Sequence, residues 1–88
     1  MQKYYITLEA NFDNKEDIED TEITYKLSIV SVTKFYVQNG EQYCGANVYM
    51  FIGSWQDIID FLADPNGYGT DDLKTLTEYI KDIKTIEV

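Results

Sequence analysis

The sequence predicts an α+β fold: a three-stranded antiparallel β-meander followed by two helices packed on one face, in the order β-β-β-α-α. Three observations predict it. Period-two alternation opens the chain, an Asn39-Gly40 dipeptide joins two β-rich runs, and two apolar stripes at helical spacing close it.

The first strand comes from residues 3–12. Its even positions Tyr4, Ile6, Leu8, Ala10 and Phe12 are apolar, and its odd positions Tyr5, Thr7, Glu9 and Asn11 are mostly polar. That is the signature of a strand with one buried face. The second and third strands form a hairpin about Asn39-Gly40, because both residues tolerate the positive φ of a tight two-residue turn. Such a turn pairs Gln38 with Glu41 and, working outward, Phe35 with Cys44, Ile29 with Met50 and Leu27 with Ile52. This face is aliphatic and is expected to be core. The opposite face pairs Tyr36 with Tyr43, Val30 with Tyr49 and Ser28 with Phe51. The expected outward surface is therefore Tyr-rich: Tyr5, Val30, Val32, Tyr36, Tyr43, Tyr49 and Phe51. A strand this long is expected to bend or bulge near residues 31–34.

Ser54 with Asp57 forms a capping box before Trp55, Ile58, Ile59 and Leu62, which define the first helical stripe. Asp64-Pro65-Asn66-Gly67 stops that helix. Thr70 is expected to cap a second, with Leu73, Leu76, Ile80 and Ile83 facing inward. No linker or repeat divides the chain, so residues 1–88 are expected to form one domain. A chain opening at Met1 with one compact unit suggests a complete small gene product.

Composition narrows the function. The net charge is −9, and the chain contains no Arg and no His. Direct contact with nucleic acid or an anionic membrane needs a basic patch, so neither is expected. No apolar run reaches the roughly 18 residues of a membrane span, and no signal peptide opens the chain. A cytoplasmic location is expected. The exclusive use of Lys, with much Ile, Tyr and Asn, matches AT-rich coding and points to a low-GC bacterial host or one of its phages. Without His, no Ser–His or Cys–His pair exists, so no enzyme is expected. Cys44 falls on the expected core face. Residues 64–72 resemble a calcium loop only superficially. The twelfth position is Thr75 instead of a bidentate Glu, and Pro65 interrupts the loop. A helix stop and a new cap explain it, and no cofactor or metal is expected.

The acidity is unevenly placed. Residues 13–22, "DNKEDIEDTE", hold six carboxylates and one lysine, a net −5, whereas residues 23–53 sum to +1. This stretch is expected to be a loop with no dipole or partner to balance it. Its carboxylates are Asp13, Glu16, Asp17, Glu19, Asp20 and Glu22, with Ile18 as the apolar residue among them. Asp57, Asp60 and Asp64 add a second acidic stripe. The Tyr side chains of the outward sheet surface would supply buried contact area, and the carboxylates would steer a positive surface.

In size, charge and composition the chain resembles phage and mobile-element counter-defence proteins, the anti-CRISPR and anti-restriction inhibitors. No family motif carries that resemblance. It implies a small acidic inhibitor that mimics nucleic acid and occludes a basic effector or nuclease. Two alternatives remain from the sequence: an immunity protein or antitoxin that neutralises a basic toxin, and an assembly subunit that self-associates as a homodimer through its Tyr-rich sheet face.

Overall fold

The computed structural model describes residues 3–32, 35–44 and 47–86; for residues 35–38 and 41–44 only the backbone and its pairing are described. The class is α+β, built from β1 (Lys3–Glu9), α1 (Lys15–Tyr25), β2 (Ser28–Ser31), β3 (Phe35–Gln38), β4 (Glu41–Cys44), β5 (Val48–Gly53), α2 (Trp55–Ala63), α3 (Leu73–Asp82) and β6 (Lys84–Ile86). β2, β5, β1 and β6 form a four-stranded antiparallel sheet in that order, and β3 and β4 form a two-stranded sheet of their own.

This is not the expected meander. β1 pairs with β5 instead of β2, and both β1 and β2 run antiparallel to β5. β1 and β2 are thus parallel to each other with β5 between them. A parallel connection needs a crossover, usually a helix, and α1 supplies it. The same logic relates β5 to β6, which flank β1, with α2 and α3 as the crossover. The strand order and connectivity are those of the split β-α-β, ferredoxin-like arrangement, which supports many unrelated functions.

The hairpin tip follows the expected register. Phe35 faces Cys44, Tyr36 faces Tyr43 and Gln38 faces Glu41. Asn39 and Gly40 have φ of 55° and 81°, as the tight turn requires. Nearer the base the register changes by one residue. Ile29 opposes Phe51 instead of Met50, and Ser28 opposes Ile52. Three residues separate Ser31 from Phe35, but four separate Cys44 from Tyr49. A one-residue change reverses every side chain. Phe51 and Tyr49, expected outward, therefore face the helices. The expected pairs that include residues 33, 34, 45 and 46, the full extent of the bend near residues 31–34, and the facing of Tyr36, Tyr43 and Cys44 lie outside the described residues and side chains.

The core lies between the helices and one sheet face. Ile6, Leu8 and Phe51 from the sheet meet Ile58, Phe61 and Leu62 from α2, with Leu27 just before β2. Phe51 is fully buried and stacks on Phe61, ring centroids 4.9 Å apart. Tyr25 of α1 and Leu76, Tyr79 and Ile83 of the C-terminal region pack on the same cluster. All three helices thus cover one face. At Gly53, a Cβ would meet Leu27 Cδ2 at 2.7 Å, so the missing side chain admits Leu27 to the core.

Ser54 Oγ accepts the Asp57 N–H at 3.1 Å and starts α2 as expected. The next helix begins later than expected. Asp72, not Thr70, is its N-cap, taking the Lys74 N–H and the Thr75 hydroxyl. Leu73 becomes the first helical residue and is 75% exposed, outside the inward stripe. The helix ends at Asp82, and residues 84–86 turn into an edge strand. Lys84–Ile86 pairs with the edge of β1, which would otherwise present unpaired backbone groups.

Candidate functional site

The acidic stretch expected as a loop is mostly helix. Asn14 has extended dihedrals, φ −157° and ψ 175°, and its Oδ1 accepts the Asp17 N–H at 2.9 Å. That is an N-cap, with Glu16 and Asp17 in the first turn, where the N-terminal end of the helix dipole favours negative charge. Contrary to the expectation from sequence, the helix dipole thus balances the charge of these two residues. The helix closes at Lys26, whose φ of 58° is left-handed and whose N–H reaches the Glu22 carbonyl.

The helix has two unlike sides. Asp17, Ile18, Thr21, Glu22 and Tyr25 are half-buried, whereas Glu16, Glu19, Asp20 and Ile23 face solvent. Ile18, the apolar residue among the acids of this stretch, belongs to the inner side. Ile23, 77% exposed, is the apolar residue that stands beside the outward carboxylates. The spacing 16, 19, 20, 23 is that of one helix face.

Three acids of the expected site are engaged within the fold. Glu22 Oε2 accepts the Ile29 N–H at 3.0 Å, and so satisfies a donor on the outer edge of β2. Asp64 Oδ2 accepts the Tyr25 hydroxyl at 2.9 Å, and its Oδ1 accepts the Asn66 N–H at 2.9 Å. Asp64 thereby ties the end of α1 to the end of α2. Desolvation of the Tyr25 ring, with the Asp64 carboxylate beside it, raises the Tyr25 pKa. Asp60 accepts from the Gln56 amide at 2.8 Å. Asp57 and Asp60 line a small cleft with Thr24, Tyr25 and Lys26 from the end of α1. The outward carboxylates that remain on the helix are Glu16, Glu19 and Asp20, with Asp13 just before its cap.

The aromatic half of the expected site is dispersed. Tyr49 and Phe51 lie on the core face, and Tyr49 meets Phe12 edge-on at 5.0 Å. Tyr5 lies on the opposite sheet face, beside Ile52 and Lys84. Tyr36 and Tyr43 are direct cross-strand neighbours in the separate hairpin. The acidic side of α1 and the sheet's outer face are therefore on opposite layers.

Among the described residues, no group of three His, Cys, Asp or Glu side chains is placed to hold a metal ion. Among the same residues, no helix is long and apolar enough to cross a membrane. Comparison with protein-family models, with curated proteins and with solved structures gives no match.

Proposed function

We propose that this chain is a non-enzymatic acidic binding protein that occupies the nucleic-acid surface of a basic protein. The recognition element is the outward side of α1. The observation that carries this reading is the pre-ordered row of Glu16, Glu19 and Asp20 with Ile23 exposed beside it. A capped helix holds these carboxylates about 5–6 Å apart. That is on the few-ångström scale at which a nucleic-acid strand carries its charges, about 3.4 Å of axis per phosphate. A helix also loses less conformational entropy on binding than a mobile loop would. Ile23 supplies the apolar contact that a row of charges lacks, and slows dissociation.

Phage-borne inhibition of a host nuclease or a similar defence effector is the setting in which such a protein acts, inside a bacterial cell. The test is capture on the immobilised chain from bacterial lysate, in parallel with a Glu16→Gln, Glu19→Gln, Asp20→Asn triple variant. Nucleic-acid-handling proteins retained by the parent, lost from the triple variant and released by added duplex DNA support the reading. Equal retention by both chains would sink it.

A further inference from the structure

We propose that two copies of this chain associate back to back through the sheet face that no helix covers. The inference is independent of what α1 recognises.

The face is defined by register. Tyr5, Ile52 and Ser28 lie abreast across β1, β5 and β2, and Thr7, Met50 and Val30 form the next row. Paired residues in an antiparallel sheet point to the same side, and these alternate with the core residues Ile6, Phe51 and Ile29. The centre of the face is thus Tyr5, Met50, Ile52 and Val30, the last 50% exposed. Among the described residues its charges are Lys3, Lys84 and Glu9, with Asp82 at the rim of a concavity lined by Tyr5, Thr7 and Met50. These charges cancel.

The rest of the molecule is different. Apart from Asp82, the helices and their turns carry twelve acids against four lysines, a net −8. Two copies that met through any helical surface would bring these layers together. A back-to-back arrangement turns both outward. Packed sheets lie about 10 Å apart and each helix layer adds about 10 Å, so the acidic layers stand roughly 30 Å apart. That is several times the Debye length of about 8 Å at physiological salt. The neutral face is therefore the one through which this −9 chain meets itself with least repulsion, and a two-fold axis makes its patch self-complementary.

The size is sufficient for a weak dimer. The strands lie about 4.8 Å apart and hold seven, six, four and three residues, so at about 3.3 Å per residue the face covers roughly 320 Å² in plan. Two such faces bury on the order of 600–700 Å², which is below a standard specific interface and in the range of a weak, transient one.

Sedimentation equilibrium of the whole chain over a wide concentration range, at low and high salt, tests this. The expected result is a monomer–dimer equilibrium based on the 10.2 kDa chain, equal or tighter at high salt, because screening removes only the residual repulsion. Val30→Lys and Met50→Lys are each expected to weaken the dimer at least tenfold. Val30 sits on an edge strand and tolerates a polar side chain, so this variant keeps the test open if Met50→Lys fails to fold, as judged by circular dichroism. A chain that is monomeric throughout overturns the proposal. So does a dimer that survives the folded Val30→Lys variant unchanged.

Discussion

The Glu22 carboxylate accepts the Ile29 backbone N–H at 3.0 Å, so one acid of the most negative stretch closes the edge of the sheet instead of facing a partner. Removing the acceptor leaves a half-buried donor without its bond. Glu22→Ala is expected to destabilise the fold by about 1–3 kcal/mol, and Glu22→Gln, which keeps an acceptor, by less. Urea midpoints of the two variants check this. Equal midpoints for Glu22→Ala and the parent would contradict the assigned role.

The acids of α1 are expected to divide by position. Asp17→Asn removes a charge that the first turn favours and should lower stability by about 0.3–1 kcal/mol at low salt. Glu19→Gln and Asp20→Asn lie further along on the exposed side and should change stability by no more than about 0.5 kcal/mol. Thermal unfolding at low and high salt distinguishes the two groups.

The one-residue change of register is testable by paired truncations. Phe51→Ala, in the fully buried position, is expected to lose about 3–5 kcal/mol. Met50→Ala, on the half-exposed opposite face, should lose well under half of that. The register extrapolated unbroken from Asn39-Gly40 would reverse the two, and denaturant titration decides.

Particular residues show what was legible in the sequence. Period-two alternation identified β1, Asn39-Gly40 identified the hairpin tip, and Ser54 with Asp57 identified the start of α2, because each is a local signal. α1 was missed because its inner side is built from Asp17, Ile18, Thr21, Glu22 and Tyr25 and presents no apolar stripe. Its N-cap was nonetheless visible as Asn14 three residues before Asp17. Its end lacks the usual glycine, since Lys26 takes the left-handed position. β6 was hidden because Lys84–Ile86 is fixed by long-range pairing with β1. The acidic side of the candidate site was legible from charge alone. Its apolar companion, Ile23, was not, since only the helix phase separates Ile23 from Ile18.

Tyr68 gives a pH dependence of known sign. Burial of its ring, then the neighbouring Tyr79 hydroxyl and the Glu9 charge, pushes its pKa up to about 12. Its hydroxyl donates to the Glu9 carbonyl at 3.0 Å and joins the turn after α2 to β1. The folded state holds this proton more tightly than the unfolded chain, whose Tyr titrates near 10. The contribution is fully present below about pH 10 and is lost as pH rises towards 12. Ultraviolet tyrosinate titration should show a late-ionising group that is lost in Tyr68→Phe, and unfolding midpoints should fall across that window.

The central claim is that the outward side of α1 takes the place of nucleic acid on its partner. The most direct measurement is a fluorescence-anisotropy competition, in which labelled duplex DNA is bound to the captured partner and the chain is titrated in. The account predicts full release of the DNA by the parent chain, with the Glu16→Gln, Glu19→Gln, Asp20→Asn variant at least tenfold weaker. A ternary complex, with the chain and the DNA bound together, would contradict it.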